Sequence, residues 1–150
     1  AEVRRLNNDL RAASGDPVVG RQLFLKHCAI CHQLAGEGRK IGPDLTTANR
    51  QDREFLLLSL VDPSGAVRRE YLSVTIQTKT GQVLNGLVVS RTDEVLTLAD
   101  ARGESTGVAI SEIEEFRDSE VSLMPENLYR QFSPQQLRDL FAWLQTSEFR

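Results

Sequence analysis

Hydrophobic and polar positions alternate in two different periods along this chain. Over residues 1–13 Val3, Leu6 and Leu10 recur at spacings of three and four, which predicts a helix with one apolar stripe, ended by Ser14-Gly15. Asp16 followed by Pro17 reads as an N-cap with proline at the first helical position. It opens a second helix through about His27, with Val19, Leu23 and Phe24 sharing a face with Gly20. Gly36 to Pro43 reads as a glycine-rich loop, and DREFLLLSLV predicts a third helix from about Gln51 to Val61, stopped by Asp62-Pro63-Ser64-Gly65. From Tyr71 the period shortens. YLSVTIQT, QVLNGLVVS, EVLTLAD and STGVAI, separated by Gly- and Asp-containing turns, read as four short antiparallel strands, with Ile113 to Phe116 a candidate fifth. Helical spacing returns at the end: Ser133 caps, Pro134 follows, and Leu137, Leu140, Phe141 and Leu144 form a stripe with Trp143 beside it.

A length of 150 residues suits one domain, or one small domain carrying an insertion. Hydrophobic residues at 40% and charged residues at 26% exclude a disordered or collagen-like chain. A formal charge of −3 offers no footprint for a polyanion, so no nucleic acid is expected as a partner. No window nears the roughly 20 apolar residues of a membrane span, so a soluble chain is expected. With only six Phe, two Tyr and one Trp, the core would gain from an additional apolar body.

Cys28 and Cys31 are the only cysteines, too close in sequence to close a large loop. They sit in Cys28-Ala29-Ile30-Cys31-His32. On a helical turn positions i, i+3 and i+4 project from one side, which suits two thiols adding to the vinyl groups of one porphyrin with the histidine beneath the iron. A thioredoxin-like redox pair and half of a zinc site are the other uses of this spacing. The first expects a βαβ context, and the second needs further ligands where only His32 and His27 are on offer.

The ordered landmarks Gly20, Phe24, Cys28-x-x-Cys31-His32, Gly42-Pro43, Met124-Pro125 and Leu140-Phe141-Ala142-Trp143-Leu144 resemble those of a class I cytochrome c. DREFLLLSLVDPSGAVRREY, TKTGQVLNGLVVSRTDEVLTL and SLMPENL resemble more closely the Planctomycetes and Verrucomicrobia type of haem-binding domain. The resemblance implies a mostly α cytochrome c fold with an inserted antiparallel β module, hence α+β. A helical extension would occupy 1–15, the cytochrome c domain 16–150, and the β-rich insertion 71–117. It implies one covalently attached haem c on Cys28 and Cys31, with iron held by His32 and Met124. It also implies that the Pro43 carbonyl accepts the His32 Nδ1 proton, and that Gly20 and Phe24 cross the last helix at Leu140, Trp143 and Leu144.

Met124 is the only methionine, and it precedes a proline in the loop leading to the last helix, as the axial methionine of that family does. His27, next to Cys28, is held on the proximal side; Lys40 and Lys79 are weaker substitutes. Arg50, Arg53, Arg68, Arg69, Tyr71, Tyr129 and Trp143 are candidate haem propionate donors, with Tyr71 and Arg69 singled out at the passage into the β module. The implied activity is transfer of single electrons between periplasmic or other extracytoplasmic redox partners or to a neighbouring enzyme domain, with no substrate transformed. The rival is a haem sensor or catalytic haem domain in which Met124 leaves and a small ligand binds. Glu104, Glu112, Glu114, Glu115, Asp118 and Glu120 read either as a solvated face or as a docking patch for a basic redox partner, and the β insertion is also a candidate dimerisation element.

Overall fold

Helices form where a cap and an apolar stripe coincide. The computed structural model describes residues 1–147; Glu148 to Arg150, the end of the expected 16–150 domain, lie outside the described residues. The chain divides into two compact units, one built from Ala1–Ala66 with Pro125–Arg150 and the other from Val67–Met124. The secondary structure is therefore mixed, with helices in the first and an antiparallel sheet in the second.

In the helical unit α1 (Glu2–Arg11) buries Leu6 and Leu10 and ends two residues short of the expected limit. On its outer side Arg5 reaches Glu2 at 2.6 Å and Asp9 at 3.2 Å, exposed pairs that contribute little to stability. The second helix, α2 (Pro17–His27), starts where the Asp16 carboxylate accepts the Val18 N–H. The third, α3 (Arg53–Val61), is capped by Asp52 and buries Leu56, Leu57 and Leu60. A single extra turn, α4 (Pro63–Ala66), follows at the Asp-Pro stop. The last helix, α5 (Pro134–Leu144), opens with a reciprocal cap between Ser133 and Gln136.

Crossing of α2 and α5 is the organising contact. A Cβ on Gly20 would lie 1.9 Å from the Asp139 carbonyl oxygen and 2.9 Å from the Trp143 Cβ, so only glycine lets the two backbones approach this closely. Phe24 and Phe141 fill the space beside the crossing, at 0% and 2% exposure. Asp139 is buried yet satisfied: it accepts the Asp16 N–H at 2.8 Å and the Gln135 amide at 2.9 Å, tying the start of α2 to α5. Arg50 Nη1 donates to the carbonyls of Leu144 and Thr146, both at 2.6 Å, and so closes the C-terminal end of α5.

The sheet unit follows the period-two pattern. Its strands are β3 (Leu72–Thr78), β4 (Val83–Arg91), β5 (Val95–Ala99), β6 (Ser105–Ala109) and β7 (Ile113–Ser122), all antiparallel, after a first short pair β1 (Gln33–Leu34) and β2 (Glu37–Gly38) in the helical unit. The order β6-β5-β4-β3-β7 comes from three consecutive hairpins and one return, the last made through a 3-10 turn at Ile110–Glu112. Val74, Ile76, Leu96 and Leu98 form the core of this unit, with Leu84, Ile110 and Ile113 against it. The last strand runs on to Ser122, well past the expected Phe116, because Ser122 returns to pair with Leu72 across a register irregularity.

Candidate functional site

The Cys28–His32 segment is a turn that follows the end of α2, with Cys28 at the C-cap. The N–H groups of Cys28 and Ala29 donate to the Phe24 carbonyl at 2.8 and 2.9 Å, and those of Cys31 and His32 to the Cys28 carbonyl at 3.1 and 2.9 Å. Cys28 to His32 thus form one further turn closed on the Cys28 carbonyl, the spacing at which positions i, i+3 and i+4 share a side. The chain then reverses through β1 and β2, pairing Gln33 with Gly38 and Leu34 with Glu37. This hairpin lies partly within what the sequence reads as a loop. Its turn uses Ala35 at φ 54° and Gly36 at φ 77°, without the Asn-Gly or Asp-Gly signature that marks such turns.

Past the hairpin the backbone returns against the motif. Arg39 N–H donates to Ala29 O at 3.0 Å, and the N–H groups of Ile41 and Gly42 both donate to Cys31 O, at 3.1 and 2.7 Å. A Cβ on Gly42 would stand 3.0 Å from His32 Cε1, so glycine lets the loop lie flat against the imidazole. The next residue completes the arrangement, with His32 Nδ1 2.8 Å from the Pro43 carbonyl oxygen. A carbonyl can only accept, so Nδ1 carries the proton and Nε2 presents its lone pair. Burial lowers the His32 pKa and the Pro43 bond partly offsets this, so the ring is held neutral, the state a metal ligand requires.

Burial, with Cys31 beside it, pushes the Cys28 thiol up to about 12, whereas thioredoxin-type chemistry needs a depressed thiol pKa. Among the described residues no group of three or more His, Cys, Asp or Glu side chains could hold a metal ion, which leaves the zinc reading without its further ligands. His27 packs its ring edge-on to Phe132, with centroids 4.9 Å apart at 78°.

Cys28, Cys31, His32 and Pro43 are therefore brought together in the helical unit. Tyr71 and Met124 belong to the sheet unit, where the Leu72–Ser122 pair places them at the same end of the β3–β7 ladder. Tyr71 ends the 3-10 turn Arg69–Tyr71, and Met124 donates its N–H to Ser122 Oγ at 3.2 Å; both are half-buried. Arg68 and Arg69, exposed, lie in the same unit. Of the other propionate candidates, Arg50 is committed to the end of α5, Arg53 donates to Gln145 Oε1 at 3.2 Å, and the Tyr129 hydroxyl accepts from Arg130 at 3.2 Å. Sequence reasoning missed Asp139 and the structural use of Arg50. Asp139 lies just off the apolar stripe of α5, beside Leu140, and a reason for its burial is visible only once α2 is known to cross there.

The donor set fits a covalently attached haem: two cysteines and a neutral histidine on one helical turn, the histidine oriented through its other nitrogen. The helical unit also leaves large apolar side chains uncovered, with Ile30, Phe55 and Leu58 at 42%, 43% and 44% exposure. A flat apolar group matches that surplus. The family model for cytochrome c matches residues 18–68, a stretch that includes both cysteines, His32 and Pro43. This supports a haem-binding, electron-transferring domain there, and that family carries a covalently attached c-type haem. Among curated proteins no significant match to the chain was found. No helix of the described residues is long and apolar enough to cross a membrane.

Proposed function

We propose that the chain is a monohaem c-type electron carrier of the Planctomycetes and Verrucomicrobia kind, working between extracytoplasmic redox partners or beside an enzyme domain. The observation that carries this reading is the His32 imidazole at the foot of the Cys28–Cys31 turn, bonded through Nδ1 to Pro43 at 2.8 Å. A c-type haem supplies, when bound, a ferric/ferrous couple that takes up and releases one electron. The rest is the work of this chain's own side chains. Cys28 and Cys31 anchor the group by thioether bonds, and His32 offers Nε2 in a fixed orientation. The Pro43 carbonyl holds the tautomer and raises the basicity of the ligand.

In this reading Met124 would hold the iron together with His32, and Tyr71 would donate to a haem propionate. Their common position at one end of the β3–β7 ladder supports giving them related roles. Methionine paired with histidine raises the potential, as expected of a neutral, soft sulfur ligand. With both His32 and Met124 holding the iron, a diatomic molecule would have to displace one of them. The sheet unit carries ten carboxylates against six basic side chains, several of them along exposed β7, which fits a basic redox partner.

Substituting Met124 tests the assignment. Met124→Ala should lower the reduction potential and admit CO to the reduced protein, while covalent haem content stays at wild-type level. An unchanged potential and unchanged CO reactivity would remove Met124 from the iron.

A further inference from the structure

Two half-buried arginines of the helical unit are held in place by neutral groups alone. Arg138, on α5, donates from Nη1 to the Asp9 carbonyl at 2.8 Å and from Nε to Gln135 Oε1 at 3.1 Å. Arg53, at the start of α3, donates from Nε to Gln145 Oε1 at 3.2 Å. Both amides are themselves fixed. Gln135 Nε2 donates to Asp139 Oδ1 at 2.9 Å and Gln145 Nε2 to the Gln51 carbonyl at 3.3 Å, so each turns its oxygen to a guanidinium. Among the described residues neither arginine forms an ion pair, and Nη2 of Arg138 and both Nη atoms of Arg53 make no hydrogen bond. The carboxylates near them in sequence are engaged elsewhere: Asp9 with Arg5, Asp52 with the Phe55 N–H, and Asp139 with the Asp16 N–H. Positive charge partly withdrawn from water without a counter-charge costs the fold free energy.

Both arginines line one cavity of about 250 Å3, between the end of α1, the start of α3 and the second half of α5. No carboxylate is among the residues that line it; Leu10, Phe141 and Ala142 supply apolar surface. Ser14 and Gly15 form another part of the wall. An added Cβ on Gly15 would fall 2.0 Å from the Arg138 carbonyl oxygen, so glycine lets this segment lie against α5 beside the arginine.

We propose that this cavity binds a carboxylate carried on a short apolar chain, with Arg53 and Arg138 taking the oxygens and Leu10, Phe141 and Ala142 the chain. Guanidinium donors fixed beforehand match the planar carboxylate fork. Inorganic phosphate would answer the charge and leave the apolar surface unused. A cavity smaller than those that enclose drug-sized ligands limits the chain to a few carbons. Two sources carry this chemistry, a free short-chain acid and the C-terminal end of a partner chain.

Calorimetric titration of the haem-loaded protein with sodium butyrate at constant ionic strength tests this, with amide chemical shifts locating the site. The wild type should bind one butyrate saturably, moving the amides of residues 13–15 and of Gln145. Arg53→Gln and Arg138→Gln should each weaken binding about tenfold, and the double variant should abolish it. Phosphate should bind at least about tenfold more weakly than butyrate. N-acetylleucine separates the two sources: tighter binding of butyrate identifies a free acid, and tighter binding of N-acetylleucine a chain end. Should Arg138→Gln not fold, Arg53→Gln, which gives up a single bond to Gln145, carries the comparison. A wild type that binds neither acid saturably, a folded variant that binds as the wild type does, or phosphate bound as tightly as butyrate would overturn the proposal.

Discussion

The helical unit joins segments far apart in the chain, whereas the sheet unit is built almost wholly from neighbours. In the former, α2 meets α5 across more than a hundred residues, and the contact depends on one absent side chain, at Gly20. In the latter, β3 to β6 are successive hairpins and only β7 returns from a distance. The pairing of Leu72 with Ser122 then brings the two ends of the sheet unit together. A long excursion between α4 and α5 is costly to close as a floppy loop, and a self-paired sheet whose ends already meet removes most of that cost. The units thus divide the labour: one holds the reactive cluster through long-range geometry, and the other tolerates its place in the middle of the chain by folding locally.

Breaking the chemistry without breaking the sheet gives the largest effect. Cys28→Ser with Cys31→Ser should abolish covalent haem entirely, so that acid acetone strips all colour from the chain. Amide exchange in β3 to β7 should remain as in wild type; loss of protection there would deny the sheet its independence.

Next in size is Gly20→Ala. With a Cβ 1.9 Å from the Asp139 carbonyl, α2 must move off α5, at about 3 kcal/mol of stability. Thermal unfolding followed at the haem should show it, while strand signals hold. A loss below about 0.5 kcal/mol would mean the crossing is looser than described.

A milder cut in the other unit is Ile76→Val, which removes one methylene from a fully buried site and should cost about 1 kcal/mol. That loss should appear in the exchange of β3 and β4 amides and leave haem retention untouched. Equal effects of Gly20→Ala and Ile76→Val on both units would collapse the distinction between them.

The smallest effect concerns pH. Burial, and secondarily Lys26, lowers the His27 pKa in the folded chain, so the unfolded chain takes up the proton first as pH falls. Its contribution to stability is therefore complete above the ordinary histidine value of about 6.5 and declines as pH drops through it. His27→Gln should flatten that decline in urea midpoints measured on either side of it. A steeper acid loss in the variant would reverse the sign argued here.

Much of this was readable beforehand because it rests on local signals. Asp16-Pro17, Asp52 and Ser133-Pro134 announce helix starts by cap chemistry alone, and the alternation from Leu72 onward announces strands. Cys28, Cys31 and His32 declare themselves by spacing. What escaped depends on partners distant in sequence. The fold uses Asp139 to receive the Asp16 N–H and Arg50 to hold the carbonyls of Leu144 and Thr146, and neither residue type signals such a partner. The β1–β2 hairpin escaped for another reason: Ala35 adopts positive φ, a conformation its side chain does not advertise. The tail of β7, rich in charge and exposed on both faces, has no alternation to read, and its pairing with β3 fixes its length.

The coordination of the reduced wild-type protein tests the central claim most directly. An absorption spectrum of the ferrous protein, recorded before and after equilibration with CO, should be six-coordinate and unchanged, as for an electron carrier whose iron is closed by His32 and Met124. Rapid conversion to a CO adduct would mean an open or easily opened site, and would make this chain a haem sensor or catalyst instead.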